Sequence, residues 1–242
     1  MRTAGASAPN RASSTAQTPT SSTRKPLSNP MPSVLDDFEL LERLGGGGMA
    51  EVFKARPRAV PQRLVAIKRI LPAYRNDPKF RSLLLQEARL GRSMRHPNVL
   101  RILGAGQCNG NEPYIVMEYV DGIDLKRLSW SIWASGETFH PWLAVSIASE
   151  VLSGIGHAHA RVDDHGRPQP IIHRDISPEN ILVTRSGHVK VADFGVASHA
   201  QAANELPRGK LPYMAPELFG NSRATEQVDL FAVGVLLWEL LT

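Results

Sequence analysis

The stretch 171–195, IIHRDISPENILVTRSGHVKVADFG, constrains this chain more than any other. It carries three polar groups, Asp175, Asn180 and Asp193, and two short apolar runs, ILV and VKVA, separate the last two. Apolar runs on both sides of a Ser-Gly pair predict a β-hairpin. Such a hairpin would fix the distance between a carboxylate that can accept a proton from a hydroxyl and two groups that can hold a divalent metal ion.

Composition limits the class of protein. The chain has 242 residues, 42% of them apolar, which is typical of a chain that buries a core. The net charge of +5 is uneven, because residues 1–35 hold four basic residues and no acid. The rest is nearly neutral, so we expect no nucleic-acid partner. A single cysteine, Cys108, excludes an internal disulfide, fits a reducing compartment and predicts a cytoplasmic protein. No apolar run approaches the ~18 residues of a membrane segment.

Residues 1–33 differ in composition from the rest. They are rich in Ser, Thr, Ala and Pro and hold few large apolar side chains. Such a segment cannot bury enough surface to offset its ordering entropy, so we predict a disordered tail. Its acid-free, Arg- and Ser-rich character also fits an organellar transit peptide, which is the less favoured alternative. Residues 34–242 then form the folded domain.

Residues 34–117 predict a small β-rich lobe of five strands and one helix. Two strands flank a Gly-rich turn, a third carries Lys68 in VAIK, and two more follow the helix. The helix is expected to begin after Asp77, a candidate N-cap, with Pro78 in its first turn. Its predicted buried face consists of Phe80, Leu83, Leu84 and Leu90, with Glu87 nearby.

Residues 118–122 predict a connection, and residues 123–242 predict a mainly helical second lobe. Its predicted helices are DLKRLSWSIWASG, PWLAVSIASEVLSGIGHAHARV and QVDLFAVGVLLWELLT. The last is hydrophobic on most sides, which predicts a central buried helix. In HAHA, His157 and His159 lie on different helix faces, so they predict no shared metal ion. The predicted fold class is α+β.

Two features of the first lobe suit phosphate binding. Glycines let backbone amides approach a phosphate closely, although LGGGG alone is equally compatible with a flexible hairpin. Lys68 lies inside an apolar strand, where its charge needs a partner unless it reaches the strand edge. Glu87, 19 residues further on, is the candidate partner. The glycines of the turn are Gly45, Gly46, Gly47 and Gly48.

Taken together, HRD at 173–175, Asn180, DFG at 193–195 and APE at 215–217 resemble the motifs of protein kinases. The forms HRDISPEN and GGMAEVF are most similar to the bacterial eukaryotic-like (Hanks-type) Ser/Thr kinases of myxobacteria. The resemblance covers roughly residues 38–242. It implies a two-lobed protein kinase fold with ATP and Mg²⁺ (or Mn²⁺) between the lobes. The third glycine of the family's G-x-G-x-x-G pattern is Ala50 here, a mild departure.

The resemblance implies a role for each matching residue. Asp175 would be the catalytic base, Asn180 and Asp193 would hold the metal, and Lys68 with Glu87 would position the phosphates. Asp229 would accept hydrogen bonds from the backbone of the catalytic loop. The residues expected against the nucleotide are Leu44, Gly45, Gly46, Gly47, Gly48, Val52, Ala66, Lys68, Met117, Glu118, Val120, Asp124 and Leu182.

The catalytic loop departs from the family pattern at Ser177, where Ser/Thr kinases usually carry a lysine that touches the γ-phosphate. A lysine appears instead at Lys210, where the family usually has a threonine. Our hypothesis is that Lys210 is a catalytic residue that supplies the missing charge from the opposite wall of the cleft.

Arg174 is typical of kinases whose loop is ordered by a phosphate. Residues 196–214, however, offer only Ser198 and Tyr213 as hydroxyls. We therefore predict that Glu205 or nothing pairs with Arg174, and that activity does not require loop phosphorylation. The chain also stops where kinase domains continue for several helices, so we expect a truncated second lobe with an exposed apolar flank.

The leading functional prediction is a Ser/Thr protein kinase that transfers the γ-phosphoryl group of MgATP to protein hydroxyls, its own among them. The alternative is a catalytically weak or silent ATP-binding scaffold, which the short second lobe and Ser177 favour. Phosphorylation of a small molecule such as an aminoglycoside is a third class. APE and the Gly-rich turn with VAIK argue against it.

Overall fold

The computed structural model describes residues 34–108, 112–194, 210–219 and 224–242. The predicted tail, Gly195, Ser198, Glu205 and Gly209 lie outside the described residues. The strands are β1 (Val34–Leu35), β2 (Phe38–Gly47), β3 (Ala50–Pro57), β4 (Val65–Ile70), β5 (Ile102–Cys108), β6 (Glu112–Glu118), β7 (Gly122–Asp124), β8 (Ile181–Thr184) and β9 (Val189–Val191). The α-helices are α1 (Pro78–Ser93), α2 (Leu125–Ala134), α3 (Pro141–His159) and α4 (Gln227–Leu241).

The first lobe is an antiparallel sheet with the strand order β1-β2-β3-β4-β6-β5, against which α1 packs. Alternation along β4 divides its side chains between the two faces of the sheet. Val65 and Ile67 join one core cluster, whereas Ala66 and Ile70 join the cluster under α1. Lys68 has the same parity as the second pair, so it lies on the face that α1 covers.

Helix α1 begins as predicted. The side chain of Asp77 accepts a hydrogen bond from the backbone N–H of Lys79 at 2.8 Å, and Pro78 occupies the first turn. The fully buried face is shifted relative to the prediction and consists of Leu84, Glu87, Ala88 and Gly91. Phe80, Leu83 and Leu90 are half-buried.

The second lobe places a small sheet, in the order β7-β8-β9, against the helices. The predicted hairpin is β8–β9, and its turn holds Gly187 at φ 86°. Strand β7 was not predicted. It pairs with β8, and a Cβ on Gly122 would lie 2.0 Å from the carbonyl oxygen of Val183. A side chain at this position would therefore force the two strands apart.

Helix α4 is buried along one side only, against α3. Asp229, Val233 and Leu236 are on the buried side, whereas Phe231 and Trp238 are 41% and 66% exposed. The predicted central buried helix is therefore buried on one side only within the part of the chain that the structure describes. The exposed apolar flank is confirmed. None of the described helices is both long and apolar enough to cross a bilayer.

Candidate active site

A cleft of about 950 Å³ lies between the larger sheet and the helical lobe. Every residue that the sequence singled out for nucleotide, metal or catalysis lines it. From the first lobe and its connection these are Leu44, Gly45, Gly46, Gly47, Gly48, Val52, Ala66, Lys68, Glu87, Met117, Glu118, Val120 and Asp124. From the second lobe they are Asp175, Asn180, Leu182, Asp193 and Lys210.

A charge cluster of two buried side chains, Lys68 and Glu87, and the partly exposed Asp193 joins the two lobes in the cleft. The Nζ of Lys68 lies 2.8 Å from Oε1 of Glu87 and 2.9 Å from Oδ1 of Asp193. Burial disfavours the charge on Lys68, but the two carboxylates outweigh it and hold its pKa above the usual value. Burial also disfavours the charge on Asp193, yet the ammonium lowers the pKa of that carboxyl. For Glu87, burial prevails over the lysine and raises the pKa.

The Gly-rich turn is the β2–β3 hairpin, in which Gly47 pairs with Ala50 and Gly48 has φ 55°. A left-handed residue at this point favours glycine. Beside the turn, Nε of Arg69 lies 2.9 Å from Oε1 of Glu51, and both side chains are buried. This pair ties β3 to β4 and braces the hairpin over the cleft.

The connection between the lobes is more constrained than the sequence predicts. The backbone N–H of Glu118 donates to the carbonyl of Arg101 at 3.0 Å. The carboxylate of Glu118 accepts from the backbone N–H of Arg101 at 2.8 Å and lies 2.9 Å from Nζ of Lys190. An adenine edge would therefore meet the carbonyl of Glu118 rather than its N–H. Asp124, expected against the nucleotide, caps α2 by accepting from the N–H of Arg127 at 2.8 Å.

Asp175 is held by two neighbours. The side-chain amide of Asn180 donates to the Asp175 carbonyl at 2.7 Å and to its Oδ2 at 2.9 Å. Nζ of Lys210 also contacts Oδ2. The carboxylate thus has one oxygen fixed by an amide and an ammonium, and its orientation toward the cleft is set before any substrate binds.

The loop that carries Asp175 is tied to α4 from beneath. Asp229 is fully buried and accepts hydrogen bonds from the backbone N–H groups of His173 and Arg174 at 2.8 and 2.7 Å. Its Oδ2 also lies 2.8 Å from Nε2 of His159. The left-handed backbone of Arg174, at φ 64°, is unusual for a long side chain. The buried carboxylate holds the loop in this conformation.

His173 and Phe194 pack against each other in the core. Their ring centroids lie 4.6 Å apart, and Nε2 of His173 is 2.9 Å from the carbonyl oxygen of Ala192. With Phe194 buried, Asp193 faces the cleft, at φ 56° and with 41% of its side chain exposed. The segment 192–194, which follows β9, is therefore held by the core.

The side chains present fit a divalent cation such as Mg²⁺. The amide nitrogen of Asn180 is committed to Asp175, which leaves its carbonyl oxygen as the group that can face a metal. Oδ1 of Asp193 contacts Lys68, and the Asp193 side chain is partly exposed and lines the cleft. Magnesium prefers a few protein oxygens together with phosphates and water. No cluster of three or more His, Cys, Asp or Glu with metal-binding geometry occurs among the described residues.

Ser177 and Lys210 occupy different environments. Ser177 is 2% exposed and does not line the cleft, whereas Lys210 does. Glu205, the predicted partner of Arg174, lies outside the described residues, so that pairing stays a prediction.

Comparison with known proteins agrees with this geometry. The family profile described as the protein kinase domain matches residues 38–242, and the chain belongs to that family. It is 37% identical over 209 residues to the serine/threonine-protein kinase PrkC of Bacillus subtilis, and 37% identical over 215 residues to the tyrosine-protein kinase MasK of Myxococcus xanthus. Each alignment covers 85% of this chain but only 30% and 32% of the relatives' lengths.

A solved structure of the Mycobacterium tuberculosis PknI kinase domain has the same fold. It superposes with a TM-score of 0.66 at 27% identity, over 86% of this chain and 74% of that one. The two-lobed protein kinase fold is therefore confirmed. The reaction common to the family is ATP-dependent phosphoryl transfer.

Proposed function

We propose that this protein transfers the γ-phosphoryl group of ATP to a serine or threonine hydroxyl of a protein. The observation that carries the proposal is the convergence, in one cleft, of Asp175, the amide of Asn180 and the Lys68–Asp193–Glu87 cluster. These groups come from four separate segments of the chain. Family membership and the relatives named as serine/threonine kinases support the same reaction.

In the proposed step, the acceptor hydroxyl oxygen forms a bond to the γ-phosphorus. The bond from phosphorus to the β–γ bridging oxygen breaks, and ADP leaves with the electron pair. The hydroxyl proton passes to the carboxylate of Asp175. Bound between Asn180 and Asp193, a divalent cation would neutralise phosphate charge, so the step depends on positioning and on charge stabilisation.

The nucleotide base would lie between apolar side chains at the closed end of the cleft. Val52 and Ala66 line this part from the sheet, and Leu182 lines it from below. Lys68 would reach the α- and β-phosphates from its place between Glu87 and Asp193. Autophosphorylation and the divalent ion used, Mg²⁺ or Mn²⁺, belong to the same proposal.

The proposal is tested by incubating the protein with labelled ATP, Mg²⁺ and a generic protein acceptor, with Asp175→Asn as the matched variant. We expect phosphoserine or phosphothreonine on the acceptor, and a loss of transfer in the variant. Nucleotide binding without transfer in the wild type would instead support a silent ATP-binding scaffold. Phosphotyrosine as the sole product would show that the acceptor is tyrosine, as the name of the relative MasK, a tyrosine-protein kinase, indicates for that protein.

A further inference from the structure

Three lysines line the cleft, and they differ in what holds them. Lys68 is committed to Glu87 and Asp193. Lys126 is 59% exposed and pairs with Glu179. Lys210 is 24% exposed and is the lysine that contacts Asp175, the candidate base. We propose that Lys210 is a catalytic residue that binds the transferred phosphoryl group while holding Asp175, which rests on the proposed phosphoryl transfer.

Lys210 is anchored at its backbone, unlike a lysine in a mobile surface pair. Its carbonyl accepts the N–H of Tyr213 at 3.1 Å, closing the short 3-10 turn Leu211–Tyr213. The hydroxyl of Tyr213 donates to Glu239 on α4. Ala215, two residues after Tyr213, is fully buried. These contacts fix the backbone that carries Lys210 at the wall of the cleft.

One helix therefore positions both members of the pair. Asp229, near the start of α4, holds the backbone of the loop that carries Asp175. Glu239, ten residues later on the same helix, holds the turn that carries Lys210. At 1.5 Å per residue the two anchors lie about 15 Å apart along a rigid axis. The backbone segments that carry Lys210 and Asp175 are thus both held by one helix.

The base loop itself places a small, uncharged side chain two residues after Asp175. Ser177 is buried, and it does not reach the cleft. An ammonium has three N–H donors, so Lys210 can keep one on Asp175 and direct another at a non-bridging oxygen of the γ-phosphoryl group. Negative charge shared by the attacking oxygen, the phosphoryl group and the leaving ADP would then meet a positive charge already in place.

The ammonium of Lys210 comes from outside the loop that carries Asp175, and this bears on regulation. Asp175 and Lys210 belong to chain segments 35 residues apart in sequence. In the structure, the turn Leu211–Tyr213 is docked on α4 through Tyr213, and Lys210 contacts Asp175. Docking of that turn would therefore also bring the catalytic charge to Asp175.

The test compares Lys210→Met with Lys79→Met, a matched change at an exposed position of α1, in steady-state kinetics of the full chain. We expect kcat to fall by about 10²- to 10³-fold in Lys210→Met, as on removal of other preorganised charge-stabilising groups. The KM for ATP should change little, because the contact forms with the transferred group. Lys79→Met should retain wild-type kcat. An unchanged kcat in Lys210→Met overturns the proposal. A higher kcat also overturns it, because it would mean that Lys210 inhibits Asp175.

A chemical rescue separates charge from folding. Lys210→Cys, made in a Cys108→Ser background because Cys108 is the chain's one cysteine, is alkylated with 2-bromoethylamine. The thiolate sulfur displaces bromide, and the new C–S bond restores an ammonium at almost the original length. We expect kcat to recover on alkylation. No recovery in a folded, ATP-binding protein overturns the role of the charge. If Asp175→Asn loses activity and Lys210→Met keeps it, this inference alone is refuted. If the wild type is inactive, the proposed function is refuted.

Discussion

Replacing Asp229 with asparagine should destabilise the protein substantially, because its carboxylate is fully buried and holds the catalytic loop. Asp229 uses both oxygens, one for the N–H of Arg174 and the other for the N–H of His173 and for Nε2 of His159. Asparagine keeps one acceptor and turns an NH₂ group toward a buried donor. That leaves at least one backbone N–H unsatisfied, at a cost of about 1–3 kcal/mol.

The remaining bonds of this variant also lose their charge assistance, since hydrogen bonds to charged groups exceed neutral ones by about 1 kcal/mol. The two effects predict a loss of about 2–4 kcal/mol, a large share of the ~5–15 kcal/mol typical of a domain. Urea unfolding followed by circular dichroism measures it, with Asp164→Asn in an exposed loop as the matched control. A loss within ~0.5 kcal/mol, the range of ordinary surface substitutions, would refute this account of Asp229.

Two further predictions concern the contact between α3 and the segment that precedes β5. A Cβ on Gly154 would lie 2.6 Å from the carbonyl oxygen of Asn98, so Gly154→Ala should cost about 1–3 kcal/mol, whereas Gly156→Ala on the same helix meets open space and should stabilise by about 0.5–1 kcal/mol. Equal urea midpoints for the two variants would contradict the packing. Burial, the stacked His157 and a nearby lysine lower the pKa of His96. The unfolded chain therefore binds the proton more readily, and stability should fall as pH drops below about 6.5. His96→Gln should flatten that part of the pH profile, and an unchanged slope would argue against it.

Most of the local structure was predictable from the sequence because its signals are local. Apolar runs and turns predicted the strands, Asp77 and Pro78 predicted the start of α1, and the Ser-Gly pair predicted the β8–β9 hairpin. The partner of Lys68 was also predictable. Glu87 was the acid near the predicted buried face of α1, and its Oε1 lies 2.8 Å from Nζ of Lys68.

Features set by distant parts of the chain were not predictable in the same way. The pattern HAHA indicates no partner for His159, yet its side chain lies beside Asp229, 70 residues away in sequence. The N–H of Glu118 is bonded to Arg101, which no pattern within either segment indicates. The apolar composition of α4 indicated burial, but composition does not identify which faces have a neighbour. Trp238 on that helix is 66% exposed.

The assignment of the cleft can be tested in one crystal of the full chain with Mn²⁺ and a non-hydrolysable ATP analogue. Anomalous scattering would locate the metal, and the nucleotide density would locate the terminal phosphate. We predict Mn²⁺ on the carbonyl oxygen of Asn180 and the carboxylate of Asp193, with Nζ of Lys210 bonded to the terminal phosphate. A nucleotide seated with its metal away from both side chains would contradict the assignment of the site.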